Sequence, residues 1–277
     1  MNGKKRIACF FTAGYTELNA MKDFMKKINM NAEYIQLCPT RARRSKEEIK
    51  NRHTNQIREN GLTGEALIDF IVDFVGKKRF KEEEYDALLI EDDKDDRFLS
   101  VQSDGTAVHD HDAWTGFKTR VKNRLKELCP EMPVIFFYAA PEVETWFLAD
   151  FEHSFGNVYV SSNQLSREQN QYFVTKFRKH IKKWILTEKY QNCIEQYGYF
   201  GGTYRKLSEE IQNALNEIDF LEDYTAESKR MIIRYSKKIQ GEAMLRQIKP
   251  ETVESHCNVY FREGFLALHN LDNNPIQ

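Results

Sequence analysis

The first half of the chain alternates short apolar runs with segments of helical period, and this order constrains the fold more than any other feature. In the intervening segments, apolar residues recur at spacings of three and four, which is typical of helices with one buried face. Strands and helices that alternate in this way predict an α/β fold with a mostly parallel sheet flanked by helices. The predicted strands cover residues 6–12, 32–38, 85–90 and 134–139.

The second half of the chain is predominantly helical by its periodicity, after a further short strand predicted at 158–160. We therefore predict an α/β domain over residues 1–160 and a helical C-terminal region over 161–277 that packs on it. The polar stretch 41–61 is predicted to be a loop or an exposed helix. The C-terminal helices are predicted over residues 166–195, 204–218, 225–247 and 250–270.

Charge and hydropathy exclude several classes of protein. The 41 Lys and Arg residues nearly balance the 42 Asp and Glu residues, so no global positive charge attracts the chain to nucleic acid or to an anionic membrane. No apolar run is long enough to span a membrane, and the first residues lack the pattern of a signal peptide. The five cysteines form no C-x-x-C pair. We expect a cytoplasmic protein with reduced cysteines and no membrane partner.

Acidic residues follow three of the predicted strands. Glu17 follows the first strand, the run Glu91–Asp96 follows the third, and Glu142 and Glu144 follow the fourth. Ligands of open α/β sheets bind beyond the carboxyl ends of the strands, so these side chains are expected to meet at one edge. Carboxylates brought together repel one another unless a cation lies among them. Because Mg²⁺ bridges carboxylates to phosphate oxygens, the pattern predicts phosphoryl-transfer or phosphodiester chemistry.

Each acidic cluster also has a purely structural interpretation. An acidic run after a strand is often a solvated loop, and the helix dipole favours acidic residues in a first helical turn. The functional prediction therefore depends on the joint placement of the three clusters and not on any one of them.

Two segments of the first half resemble motifs of a known fold. The turn after the first strand reads AGYTE over Ala13–Glu17, and the third strand and its end read LLIEDDKD over Leu88–Asp95. They resemble, in that order, the E-G-x-T-E turn and the D-x-D strand of Toprim domains, the fold that topoisomerases and primases share with OLD-type nucleases. The resemblance implies a Toprim-like sheet whose acidic edge binds a divalent metal.

Further motifs resemble one Toprim-related family. The helix start after the fourth strand reads PEVETWFLAD over Pro141–Asp150, and the C-terminal region contains RYSKKIQG over Arg234–Gly241 and VESHCNVYF over Val253–Phe261. They resemble the E-x-E-A-W-L-x-A-D, Y-x-K-x-x-x-G and C-x-x-F elements of an uncharacterised family of prokaryotic defence loci, often encoded beside an ABC-type ATPase. GGTYRKL over Gly201–Leu207 resembles its G-K-P-S-x-x-L element more loosely. The resemblance covers most of the chain and implies an antiviral nuclease with an ATPase partner.

One position departs from the Toprim pattern. The first glutamate of the turn, which acts as a metal-coupled general acid or base in Toprim nucleases and primases, is Ala13 in this chain. Either Glu17, Glu91 or Glu142 compensates for this loss, or the domain binds metal poorly and is catalytically silent.

The resemblance implies a specific set of site residues. The frame of the D-x-D motif stays open between Glu91-x-Asp93 and Asp93-x-Asp95. The implied catalytic residues are Glu17, Glu91, Asp93 and Glu142. The implied ligands of Mg²⁺ or Mn²⁺ are Glu17, Glu91, Asp93, Asp95 and Glu144.

Two basic segments could meet a polyanion, whose charge Lys and Arg neutralise, namely residues 41–46 and residues 176–183, although the second also fits an amphipathic helix with a solvated basic face. The residues predicted to contact substrate phosphates are Arg43, Arg44, Lys237 and Lys238. Arg43 and Arg44 follow the second strand, from which they could reach the acidic edge. Lys237 and Lys238 lie in the stretch that the family pattern directs at the metal, although without the family pattern they are merely part of a charged helical stretch.

A second metal-ligand pattern has a simpler explanation. The loop His109–Asp112 (HDHD) alternates imidazole with carboxylate, which suits zinc or manganese. Alternate residues of an extended loop point to opposite sides, however, and Asp112 could cap a helix that begins at Ala113.

The sequence therefore predicts a Mg²⁺- or Mn²⁺-dependent nuclease that acts on DNA or RNA. One alternative is a catalytically inactive Toprim-like adaptor or sensor that binds a partner protein or nucleic acid, as the loss of the turn glutamate suggests. Another is a phosphatase or other small-molecule phosphotransfer enzyme that uses the same acidic edge.

Overall fold

Four parallel strands form the main sheet, in the order β2-β1-β3-β6. The structure is a computed structural model that describes residues 4–12, 14–41, 59, 61–104, 107–163, 165–185, 194–196, 199–200, 203–218 and 235–271. The α/β fold with a parallel sheet flanked by helices and a helical C-terminal part is confirmed. The strands are β1 (Arg6–Phe11), β2 (Glu33–Cys38), β3 (Ala87–Asp93), β4 (Leu99–Val101), β5 (Ala107–His109) and β6 (Val134–Ala139).

The two middle strands of the sheet, β1 and β3, are buried along nearly their whole length. Parallel strands that are covered on both faces carry unbroken apolar runs, which is why these segments were recognisable in the sequence. Ala8 of β1 lies opposite Ile35 of β2 and Leu88 of β3. Because the strands are parallel, their carboxyl ends lie at one edge, where Phe11 pairs with Glu91.

Helices account for most of the remaining described residues. Three π-helical turns, Glu17–Met21, Ser154–Tyr159 and Lys237–Gly241, lead into helices. A 3-10 turn, Ile194–Gln196, precedes a hairpin of β7 (Tyr199–Phe200) and β8 (Thr203–Tyr204). The helices are α1 (Lys22–Ile28), α2 (Gly64–Val75), α3 (Lys78–Glu82), α4 (His111–Lys126), α5 (Glu144–Ala149), α6 (Val160–Ser162), α7 (Arg167–Ile185), α8 (Leu207–Asn216), α9 (Glu242–Gln247), α10 (Pro250–His256) and α11 (Phe261–His269).

The strand predicted at 158–160 is wrong, because this segment is helical. Tyr159 is fully buried and stacks on Phe173 with ring centroids 5.1 Å apart, and it also contacts Phe155. A short apolar run looks the same in a buried strand and in a buried helical turn, so its periodicity could not distinguish the two.

The single helix predicted over 250–270 is instead two helices, α10 and α11. The buried Glu195 carboxylate accepts hydrogen bonds from the backbone N–H groups of Val259, Tyr260 and Phe261, at 2.6, 3.1 and 3.0 Å. These groups lie at the start of α11 and lack partners within the helix, so Glu195 takes the role of an N-terminal cap from a distant part of the sequence.

The chain divides into two compact units built from alternating segments. The first unit comprises the described residues of Met1–Asp92, Thr115–Phe137 and Gly264–Gln277, and the second comprises those of Asp93–Trp114 and Tyr138–Glu263. Residue 160 lies within the second unit, and the domain boundary predicted near it stays a prediction. In the part of the chain that the structure describes, no helix combines the length and the apolar character that crossing a membrane requires.

Candidate active site

Asp93 is the last residue of β3 and the first residue of the second unit. Its Oδ1 accepts a hydrogen bond from the backbone N–H of Val143 at 3.2 Å, which joins the end of β3 to the segment that follows β6. Its Oδ2 lies 3.5 Å from the Nζ of Lys237 in an ion pair. The Asp93 side chain keeps 14% of its surface exposed, so it is accessible to a ligand.

Glu142 follows β6 and is joined to the start of α8. Its Oε2 accepts hydrogen bonds from the backbone N–H of Ser208 at 3.0 Å and from the Ser208 hydroxyl at 3.1 Å. Ser208 lies in the first turn of α8, where backbone N–H groups have no helical partner and favour a negative charge. Glu142 therefore fixes the start of α8 beside the end of β6.

Glu144 is the first residue of α5 and is fully buried. Its Oε1 accepts a hydrogen bond from the Tyr235 hydroxyl at 2.9 Å. Its Oε2 has no hydrogen-bond partner among the described residues. A buried carboxylate oxygen without a donor is costly, so this atom is the most direct structural sign of a ligand in the second unit.

Asp95 is the fourth carboxylate of this region, and we call Asp93, Asp95, Glu142 and Glu144 the acidic cluster. The backbone of Asp95 lies in the left-handed region at a φ of 50°, which Asp tolerates better than most residues. The N–H of Asp95 donates a hydrogen bond to the carbonyl of Pro141 at 2.8 Å. Lys94, between the two aspartates, is buried, and its Nζ donates to the carbonyl of Arg97 at 2.7 Å. Burial lowers the pKa of Lys94 to about 7.

Burial and mutual repulsion raise the pKa values of the acidic cluster. Burial and the neighbouring charge of Glu144 raise the pKa of Glu142 from its ordinary 4.5 to about 7, against the opposing effects of Ser208 and Lys237. The pKa of Glu144 is raised by burial and by Asp93, although Lys237 and Tyr235 oppose the shift. Burial and Asp93 likewise raise the pKa of Asp95. These carboxyl groups are therefore easier to protonate than ordinary ones, and Glu142 is poised to exchange a proton near neutral pH.

The raised pKa of Glu142 predicts a pH-dependent stability. A carboxyl group whose pKa is higher in the folded chain contributes stability below its unfolded pKa, and this contribution is lost as the pH rises through the folded value. Between pH 5 and pH 8 in EDTA, the free energy of unfolding of the wild type is therefore expected to fall by on the order of 2 kcal/mol more than that of Glu142→Gln. Chemical denaturation at both pH values measures this difference. Glu152→Gln, at an exposed position, is the control, and a Glu142→Gln profile parallel to that of the wild type would contradict the prediction.

Two glutamine side chains hold the segment that carries Tyr235 and Lys237. The backbone N–H of Tyr235 donates to the Oε1 of Gln212 on α8 at 3.0 Å, and that of Ser236 donates to the Oε1 of Gln240 at 2.9 Å. Gln240 is buried. The two side-chain amides thus position the groups that contact Glu144 and Asp93.

Glu17 and Glu91 belong to the first unit. Glu17 is fully buried at the start of its π-helical turn, and its carboxylate lies so close to Gly14 that a Cβ there would overlap it. The Oε2 of Glu91 accepts a hydrogen bond from the backbone N–H of Thr12 at 3.2 Å. Glu17 follows β1 as predicted, whereas Glu91 lies within β3, which extends to Asp93, and not after the strand. Their catalytic and metal-binding roles stay predictions.

Three predicted positions lie outside the described residues, namely Ala13, Arg43 and Arg44. Lys238 is exposed and directly follows Lys237. Its contact with phosphate stays a prediction.

The His109–Asp112 segment contains the residue that caps the start of the following helix. The helix α4 begins at His111, and the Oδ1 of Asp110 accepts a hydrogen bond from the backbone N–H of Ala113 at 2.8 Å. The capping residue is thus Asp110 and not Asp112. The Nδ1 of His109 contacts the Tyr260 hydroxyl. As placed in the described ranges, no group of three or more His, Cys, Asp or Glu side chains converges on a metal position.

Sequence reasoning did not single out Ser208 or Gln212. A serine near the start of a helix is a recognisable sequence signal, so the start of α8 at Ser208 could have been identified from the sequence. Gln212 gave no signal, because its role depends on a residue 23 positions away.

Comparisons with known proteins identify no family for this chain. No protein-family model matches it, and neither the curated proteins nor the solved structures provide a match.

Proposed function

We propose that the acidic cluster is the active site of a Toprim-like nuclease that hydrolyses phosphodiester bonds of DNA or RNA with Mg²⁺ or Mn²⁺. The observation that carries this proposal is Glu144, which is fully buried and has one carboxylate oxygen without a hydrogen-bond partner among the described residues. The negative charge of Asp93 acts on Glu144 and raises its pKa further. A divalent cation would give the buried oxygen a partner and would also offset the repulsion between Asp93 and Glu144.

The donor set of the acidic cluster fits a hard cation. All of its side chains offer carboxylate oxygens, and Mg²⁺ is usually held by one or two carboxylates, with waters and substrate phosphates completing the octahedron. Asp93 and Glu144 are the proposed ligands. When bound, the cation would polarise the phosphoryl group and stabilise the leaving oxygen.

The other side chains of the site have roles that follow from their charge. Lys237, whose ammonium is held 3.5 Å from Asp93, would bind a phosphate oxygen of the substrate. Glu142, whose pKa is raised to about 7, is suited to accept or donate a proton at neutral pH. The resemblance to the Toprim-related family supports a role in prokaryotic antiviral defence with an ABC-type ATPase as partner.

Metal binding and cleavage test the proposal together. The protein is titrated into Mn²⁺, and the spin-resonance signal of the free ion is recorded. Labelled single-stranded DNA, plasmid and tRNA are incubated with the protein in Mg²⁺, in Mn²⁺ and in EDTA. We expect binding of Mn²⁺ and cleavage of at least one nucleic acid, which EDTA abolishes.

Two other outcomes would overturn the proposed function. Absence of both Mn²⁺ binding and cleavage would favour the adaptor alternative, which the replacement of the turn glutamate by Ala13 suggests. Hydrolysis of p-nitrophenyl phosphate without cleavage of any nucleic acid would favour a small-molecule phosphotransfer enzyme.

A further inference from the structure

The Asp93 carboxylate is a proposed metal ligand and also the partner of a protein cation. Its Oδ2 lies 3.5 Å from the Lys237 ammonium, and its Oδ1 accepts the backbone N–H of Val143 at 3.2 Å. The same ammonium opposes the raised pKa values of Glu142 and Glu144, so its charge acts on three carboxylates of the acidic cluster. A metal ion held by Asp93 would therefore share this carboxylate with Lys237.

Two cations on one carboxylate repel each other. Mg²⁺ binds a carboxylate oxygen at about 2.1 Å, so an ion on the Oδ2 of Asp93 would lie within about 6 Å of an ammonium that stayed 3.5 Å from the same atom. The Asp93 side chain is only 14% exposed, so water screens this repulsion incompletely. The metal ion and the Lys237 ammonium therefore compete for Asp93.

The backbone of the segment that carries Lys237 is held, whereas the Lys237 side chain has room to move. The backbone N–H groups of Tyr235 and Ser236 donate to side-chain amide oxygens at 3.0 and 2.9 Å. The Lys237 side chain keeps 31% of its surface exposed and has a flexible four-carbon stem. The ammonium can thus leave Asp93 by a change of side-chain rotamer, without a change in the backbone.

From this arrangement, we infer that Lys237 is an internal competitor of the metal ion, so that a divalent cation displaces its ammonium from Asp93 and makes it available to the substrate phosphate. The inference rests on the proposed function, because it takes Asp93 as a metal ligand and Lys237 as a phosphate ligand. It adds a regulation of the same site. By linkage, a phosphate that draws the ammonium away from Asp93 also tightens metal binding.

The affinity for Mn²⁺ distinguishes a competitor from a supporting residue by the sign of the effect. The Kd of Mn²⁺ is measured by spin resonance for the wild type, Lys237→Met, Lys237→Arg and the control Lys179→Met, which replaces an exposed lysine of α7. We expect Lys237→Met to bind Mn²⁺ about tenfold more tightly than the wild type, because methionine removes the repelling charge and keeps an unbranched apolar side chain. Lys237→Arg, which keeps the charge, is expected to bind no more tightly than the wild type, and Lys179→Met is expected to match the wild type.

The displacement itself can be measured in the wild type, without any variant. Trace acetylation with acetic anhydride, followed by mass spectrometry, reports the reactivity of each lysine. We expect the labelling of Lys237 to increase when Mn²⁺ is added, because an amine that leaves an ion pair loses its proton more readily. The labelling of Lys179 is expected to stay constant. Unchanged labelling of Lys237 at saturating Mn²⁺ would overturn the displacement.

The combined results separate failure of this inference from failure of the proposed function. Equal or weaker Mn²⁺ binding by Lys237→Met would overturn the competition, even if the wild type cleaves nucleic acid. Tighter Mn²⁺ binding by Lys237→Met in a protein that cleaves no nucleic acid would support the competition and overturn the proposed function. Absence of Mn²⁺ binding in the wild type and in every variant would overturn both.

Discussion

Asp93→Asn is expected to lower Mg²⁺-dependent cleavage by on the order of 10²- to 10³-fold, the loss typical of removing one charged or hydrogen-bonding group that stabilises a transition state. Asparagine has the same shape and keeps an oxygen for the N–H of Val143. It removes the charge that pairs with Lys237 and that would hold the cation. The fold is therefore preserved while the chemistry is lost.

The measurement is the single-turnover cleavage rate at saturating protein, together with Mn²⁺ binding by spin resonance. Asp112→Asn is the matched control, since Asp112 is an exposed aspartate in the same unit. It is expected to retain the wild-type rate and the wild-type Mn²⁺ affinity. If Asp93→Asn cleaved as fast as Asp112→Asn, the reacting centre would lie elsewhere in the chain.

Gly264→Ala is expected to destabilise the protein by about 3 kcal/mol, because overpacking at this point cannot be relieved by a side-chain rotation alone. Gly264 lies on α11, and a Cβ there would overlap the backbone carbonyl oxygen of Phe136 and lie 2.9 Å from the ring of Phe137, both in β6. The backbone of the helix must therefore move away from the strand. The corresponding fall in Tm is roughly 6–10 °C.

Gly116→Ala offers a matched comparison within the same unit. Gly116 is an exposed residue of α4, and a Cβ there would meet no atom within 4 Å. Because alanine is the better helix former, this substitution is expected to stabilise the protein by up to about 1 kcal/mol. Thermal unfolding of both variants measures the difference. Similar Tm values for the two variants would show that α11 does not pack on β6 as closely as described.

Much of the fold was predictable because its signals are local. The apolar runs of the four main strands and their turn residues lie next to each other in the chain. The hairpin of β4 and β5 was missed, because two strands of three residues each are too short to display a period. The break between α10 and α11 was missed for a different reason. It depends on Glu195, a buried residue whose partners lie more than 60 positions away.

The candidate site shows the same difference between features that the sequence pattern predicts and contacts between distant residues that it does not. Asp93, Glu142 and Glu144 were predicted to lie close together from topology, since the carboxyl ends of parallel strands lie at one edge. The structure brings these three residues together within the second unit. The role of Lys237 was predicted only from the resemblance to the Toprim-related family. The hydrogen bonds of Ser208 to Glu142 and of Gln212 to the Tyr235 backbone link segments with no common periodic pattern.

The long sequence separation between the carboxylates and their partners has a consequence for biosynthesis. Lys237 is translated 144 positions after Asp93, and Tyr235 is translated 91 positions after Glu144. A nascent chain that has not yet reached residue 235 therefore has the acidic residues without the cation and the hydroxyl that accompany them in the finished protein. Assembly of the site is thus delayed until the ribosome has translated residue 237.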